Sequence, residues 1–223
     1  SDIKILSISS VPTNNIKKNV ILNHELLYDQ LKFLISENEK QSQTKLNSVN
    51  LNFSLLKSSS HYYDSEIKIE NEKISELHLK KIINQSDFFK LNSFDFELFN
   101  NIISYEVDNR QYFTPPLENY SDKIKIYFYK ILTQKKYIEN FTSIFKKLKI
   151  NIENYIPSPL SASLSSLTND ECELGTICIN LGHSTSSISI FENNIFIFGD
   201  TIGIGSNNVT LDIARGVSTT IAS

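Results

Sequence analysis

Two periods of apolar residues run along this chain, one of about two residues and one of about 3.6, and they alternate from segment to segment. Residues 3–9 alternate like a half-buried strand, and a second short strand is predicted at 19–22. A helix is predicted over 24–38. Asn23 is placed to cap it, Glu25 lies in the first turn, and Leu27, Leu31, Leu34 and Ile35 form one apolar face. Leu51, Phe53 and Leu55 alternate with Asn50, Asn52 and Ser54, which describes a strand with one dry face.

The middle of the chain reads as a smaller α/β module. It has an extended run at 62–69, a short helix carrying Ile74, Leu77, Leu79, Ile82 and Ile83, and a second extended run at 96–107. Pro115 and Pro116 then interrupt regular structure. An aromatic-rich strand follows, with Ile124, Ile126, Phe128 and Lys130 on one face. An amphipathic helix over 135–149 presents Ile138, Phe141, Ile144, Phe145 and Leu148 together. Lys146, Lys147 and Lys149 sit on its solvated end, where the helix dipole favours cations.

From residue 152 the pattern changes. A strand at 152–156 leads to Ser158 and Pro159, which read as the cap and first position of a helix. The small side chains of Ser161, Ala162, Ser163 and Ser165 let that helix approach a neighbour closely. After an acidic turn at Asn169, Asp170 and Glu171, strands are predicted at 177–181, 186–191 and 195–198, with a tight turn at Asn193 and Asn194. A loop and a helix close the segment. No fixed-period repeat is present.

Composition narrows the class. At 40% hydrophobic and 21% charged the chain is that of a folded domain, and 223 residues suffice for one large or two small cores. With 22 basic and 25 acidic residues the net charge is −3, which leaves no basic footprint for nucleic acid. Two cysteines, Cys172 and Cys178, make no disulfide framework and no paired metal motif, so a cytosolic chain is expected. No apolar run reaches the roughly 18–20 residues of a membrane span, and the start does not read as a signal peptide. The chain contains no Met, and the reading is that it opens in mid-domain.

Candidate chemistry lies at Asn180, Leu181, Gly182, His183, Ser184 and Thr185. A buried strand ends here in a short loop with a glycine and two hydroxyls, and a second strand returns. Such a loop can turn several N–H groups toward one point, as phosphate oxygens require. A plain hairpin would use the same residues.

Three blocks in order make the pattern specific. Pro159, Leu160, Ser161, Ala162 and Ser163 resemble the "PLAS" approach of the FtsA family, and Asp170, Glu171, Cys172, Glu173, Leu174 and Gly175 resemble its "DE-x-ELG". Residues 200–219, with Thr210, Asp212, Ile213, Ala214, Gly216, Ser218 and Thr219, resemble the stretch in which a "GG" loop leads into "T-x-DIA-x-G-x-ST". The likeness is strong over 152–219 and collinear, though fainter, before that.

The resemblance implies a partial actin-like (ribonuclease H-like) α/β fold with an inserted SHS2-type subdomain. Residues 1–53 would form part of the first lobe, 54–150 the insert, and 151–223 the return to that lobe and the start of the second. It implies ATP with Mg²⁺ between lobes, with Gly182, His183, Ser184 and Thr185 facing the phosphates and Gly203, Gly205 and Ser206 nearby. Asn180 would stand where the family has a metal-holding Asp. The implied role is a cell-division scaffold joining FtsZ to the inner face of the cytoplasmic membrane. Its partners would be FtsZ, further FtsA copies, other divisome proteins through the insert, and the membrane through a C-terminal helix not seen here.

Departures from the family pattern are Asn180, His183 (for Gly or Ala), Ser206 (for the second Gly) and the missing first phosphate loop. They predict weak nucleotide binding and no hydrolysis, since an amide lacks the charge that holds Mg²⁺. A PilM-type pilus-assembly protein is the alternative within the superfamily. A sugar kinase is disfavoured because Asn180 and Ser187 offer no carboxylate base.

Overall fold

A computed structural model describes residues 4–86 and 92–220. The chain opens irregularly. Ile3 of the predicted first strand lies outside the described residues, and 4–9 form no strand: Ile5, Leu6 and Ile8 are exposed. Alternation alone cannot make a strand without a sheet edge to receive it. Here the segment instead follows a helix, with the Ser7 hydroxyl donating to the Asn38 side chain (2.9 Å).

β1 (Ile16–Lys17) and β2 (Val20–Ile21) make a hairpin whose two turn residues, Lys18 and Asn19, both have positive φ (50° and 65°). Those are the signs a two-residue primed turn demands. Asn23 then caps α1 (His24–Ser42) by accepting the Leu26 N–H at 3.0 Å. The helix runs a turn beyond its predicted end because 38–42 contain no breaker, and it stops at Gln43 in the left-handed region. β3 (Ser48–Phe53) follows, with Phe53 and the post-strand Leu55 fully buried.

β4 (Ser59–Lys73), α2 (Glu76–Ser86), β5 (Asp95–Val107), β6 (Arg110–Tyr112) and β7 (Tyr120–Gln134) build an antiparallel sheet in the order β4-β7-β5-β6. One face, with Ile67, Tyr105, Ile124, Ile126 and Phe128, is buried with Ile74, Leu79 and Ile82 of the α2 region. Leu77 and Ile83, predicted to share that face, point outward instead. Leu77 lies roughly 160° around the helix from Leu79, off the buried stripe, whereas Ile83, one turn beyond Leu79, sits at its margin.

α3 (Lys135–Lys147) buries Ile138, Phe141, Ile144 and Phe145, as its period requires. β8 (Asn151–Pro157) pairs in parallel with β3. α4 (Ser158–Leu164) begins one residue earlier than expected, with Pro157 at the cap position and Ser158 already helical. The acidic stretch expected to be a turn is a short helix, α5 (Asn169–Leu174), started by a reciprocal Thr168–Glu171 capping box.

β9 (Thr176–Leu181), β10 (Ser186–Glu192) and β11 (Ile195–Ile202) form an antiparallel sheet in the order β11-β10-β9, and α6 (Ser206–Gly216) follows. Asn193 and Asn194 turn β10 into β11 with φ of 51° and 62°. A core containing Phe53, Leu55, Tyr129, Phe141, Phe191 and Phe196 joins this sheet to α3 and the far side of the four-stranded sheet. No helix among the described residues is long and apolar enough to cross a membrane.

Candidate functional site

β9 carries the chain to the 182–185 loop, and β10 carries it away in register, with Ser186 opposite Leu181 and Ser187 opposite Asn180. β9 was expected to be a buried strand. It is an edge strand, and Ile177, Ile179 and Leu181 are exposed. The opposite face takes the packing, since the buried Ser189 hydroxyl is bonded to Ser163 of α4 and Phe191 joins the core.

The loop closes on itself through Gly182 N–H to Thr185 O (3.0 Å). Two of its carbonyls then point at the start of α6. Gly182 O accepts from Ser206 N (2.9 Å), and His183 O accepts from Asn207 N (3.0 Å). Helix N-termini leave such donors free, so the first loop caps the second. The approach is close enough to require glycine at 205. A Cβ there would lie 2.5 Å from both Gly182 O and His183 O. Asn208 Oδ1 accepts the Gly205 N–H (3.0 Å), and the Ser186 hydroxyl donates to Ile204 O (2.7 Å).

Of the residues read from the sequence, Gly182, His183, Gly205 and Ser206 are therefore in direct contact. Ser184 and the His183 side chain are exposed at the tip, and Thr185 closes the turn. Among the described residues, no acceptor takes the N–H groups of His183, Ser184 or Thr185. These donors and the exposed hydroxyl of Ser184 are what an anion would meet. The carbonyl of Gly203 accepts from Lys18 Nζ at 2.8 Å, across 185 positions of chain. Sequence reasoning missed Lys18, because a lysine in a polar turn carries no signal for a contact so distant.

Asn180 lies on the other face of β9 from Ile179, in one cross-strand row with Ser187 and Thr201. The Thr201 hydroxyl is buried without a partner. This row holds an amide and two hydroxyls and no carboxylate, a poor donor set for Mg²⁺. No cluster of three or more Asp, Glu, His or Cys side chains suited to a metal occurs among the described residues. Cavities of about 480 Å³ between α1 and α3 and about 760 Å³ between α3 and β8 lie away from the loop.

No family model matches the chain. It is similar to the cell division protein FtsA of Agrobacterium fabrum, at 24% identity over 219 residues, which is 98% of this chain and 49% of the relative. FtsA of Pseudomonas aeruginosa is 19% identical over 217 residues, 97% of this chain and 52% of the relative. FtsA of Helicobacter pylori is 28% identical over 111 residues, 50% of this chain and 23% of the relative. The chain thus spans about half the length of the curated relatives it matches over most of its residues. Among solved structures, the PilM-PilN type IV pilus biogenesis complex superposes with a TM-score of 0.57 at 9% identity, covering 96% of this chain and 58% of that chain. At that identity the likeness speaks for the fold alone. The resemblance to the FtsA cell-division proteins read from the residues is thereby borne out over nearly the whole chain, on a partial actin-like α/β fold.

Proposed function

We propose that this chain is the nucleotide-facing portion of an FtsA-like cell-division scaffold, with ATP phosphates received at 182–185 and 203–206. The observation that carries the reading is the pair of bonds from Ser206 and Asn207 to the carbonyls of Gly182 and His183. They join the two loops into one surface and leave the N–H groups of 183–185 turned to no protein acceptor, which suits a phosphate. In this reading residues 54–150 are the inserted subdomain that meets further copies and other division proteins. FtsZ and the inner face of the cytoplasmic membrane are the further partners in this reading. With no carboxylate at Asn180 to hold Mg²⁺, ATP is held weakly and not hydrolysed.

The experiment is a heteronuclear NMR titration of the chain with ATP, which reads weak binding directly. Shifts concentrated at 182–185 and 203–206 are expected. An unchanged spectrum at saturating ATP would refute the reading, and micromolar affinity for Mg-ATP would refute its claim of weakness. The fold likeness to PilM favours a second reading, a pilus-assembly role. Neighbouring genes for FtsZ and FtsQ would support division, and pilus genes would support the second role.

A further inference from the structure

Lys18 and the Asn180 row together suggest how the proposed phosphate site balances charge, and this step rests on the nucleotide reading above. An actin-type site neutralises phosphate partly through Mg²⁺ held by a carboxylate. The equivalent row here is Asn180, Ser187 and Thr201, in register across β9, β10 and β11. All three are neutral at any physiological pH, and an amide or hydroxyl alone gives little grip on a hard divalent cation. The nearest acid on these strands, Asp200, is opposite Ile188 and so belongs to the other face of the sheet. Its Oδ1 accepts the Thr201 N–H at 2.7 Å.

A positive charge does reach the second loop, from a different part of the chain. Lys18 occupies the tip of the β1–β2 hairpin, at φ 50°. The hairpin is fixed beneath it by the Asn19 side chain, which donates to Ser54 O at 2.8 Å. Lys18 Nζ donates to Gly203 O, two residues before the Gly205 that touches Gly182 and His183. Two residues of chain span at most about 7 Å. An ammonium has three N–H donors, so two remain after the Gly203 bond. Lys18 is exposed and makes no ion pair among the described residues. Its charge is therefore not already satisfied by an acid.

We propose that this site takes nucleotide phosphate without a divalent cation, the Lys18 ammonium supplying the charge that a carboxylate-held metal would otherwise supply. Phosphate oxygens then meet the free N–H groups of 183–185 on one side and Lys18 on the other. The bound anion ties the β1–β2 hairpin to the β11–α6 loop more firmly than the single Gly203 bond does.

The test is an NMR titration of the chain with ATP in EDTA and again with excess Mg²⁺. It is repeated for Lys18→Gln, Lys18→Arg and Asn180→Asp. The expected result is a dissociation constant that differs by less than about threefold between EDTA and Mg²⁺. Lys18→Gln should weaken binding about tenfold or more in both media, the size of one lost charge-assisted hydrogen bond, and Lys18→Arg should recover most of it. Asn180→Asp should make binding metal-dependent, weaker in EDTA and stronger with Mg²⁺. Wild-type affinity that collapses in EDTA, or that ignores Lys18→Gln, would overturn the proposal while leaving the nucleotide reading intact. No ATP-induced shift in either medium would remove both.

Discussion

The phenol oxygen of Tyr129 accepts the Gly199 N–H at 2.9 Å, and this bond joins the four-stranded sheet to the sheet that carries the candidate loop. Tyr129 is fully buried, and its hydroxyl also meets Gly199 O (3.2 Å) and the Ser60 hydroxyl (2.9 Å). Burial raises its pKa above the ordinary tyrosine value and keeps it neutral. Tyr129→Phe keeps the ring among Phe99, Phe196 and Tyr62 but orphans the Gly199 N–H. An unsatisfied buried donor costs about 1–3 kcal/mol, which should appear as a lower urea midpoint with an unchanged slope. A midpoint equal to wild type would mean that this bond contributes nothing to holding the two sheets together.

Gly205→Ala tests the contact between the loops. The backbone at Gly205 is extended, so alanine is allowed by its dihedral angles (φ −146°, ψ −173°). The obstacle is steric: the new methyl would press on Gly182 O and His183 O, which are backbone atoms and cannot swing away. The expected cost is about 1–3 kcal/mol, with NMR shifts centred on 182–185 and the first turn of α6. Gly216→Ala provides the comparison, because a Cβ there meets nothing within 4 Å. Equal melting curves for the two variants would contradict the close approach.

Much of this arrangement was legible in the residues, for identifiable reasons. Asn193 and Asn194 announce a turn because few other residues accept two positive φ values in succession, and they fix the register of β10 on β11. The face of α3 follows directly from Phe141 and its neighbours at helical spacing. What periodicity could not convey was which apolar stripes are covered. Ile177, Ile179 and Leu181 look like a buried strand, yet coverage depends on where other elements lie, and α4 lies on the opposite face. The α5 start was signalled by Thr168 and Glu171, a capping pair that a purely acidic reading overlooks. Lys18 had no local signal at all, since its role depends on a carbonyl 185 residues away.

Lys130 continues the buried face of β7 beyond Phe128, and its Nζ meets Glu97 Oε2 at 2.6 Å. The two partners are not equally placed: the Lys130 side chain is 1% exposed, and that of Glu97 is 33% exposed. Removing the carboxylate takes the counter-charge from an ammonium that water cannot reach and that still lies 5.1 Å from the Tyr63 ring centroid, whereas removing the ammonium leaves a carboxylate that water can reach. Glu97→Leu should therefore cost about 3–5 kcal/mol and Lys130→Met considerably less. The double variant should recover most of the Glu97→Leu loss, as a double-mutant cycle in urea would read. The reverse order of the single variants would mean that the other contacts of Lys130, the Tyr63 ring among them, carry most of its charge.

Glu171 sets the pH dependence of the short helix that holds the sheet at the end away from the candidate loop. Its carboxylate accepts from the Thr168 N–H (2.8 Å) and the Thr168 hydroxyl (2.9 Å), and these bonds lower its pKa below the ordinary glutamate value. The helix in turn holds the sheet, through Asn194 N–H to Cys172 O (3.0 Å) and the Thr176 hydroxyl to Glu171 O (2.6 Å). A depressed carboxylate pKa means that the unfolded chain binds the proton more readily than the folded one. The stabilisation is therefore complete above the unfolded value, about 4.3, and fades as pH falls through the folded one. Glu171→Gln removes the titration, so the difference in urea midpoint between wild type and variant should be greatest near neutrality and narrow as pH falls below the ordinary glutamate value. The Thr168 amide proton should move upfield over the same window in wild type alone. A stability difference that stays constant from neutral to acid pH would assign the effect of Glu171 to packing rather than to its charge.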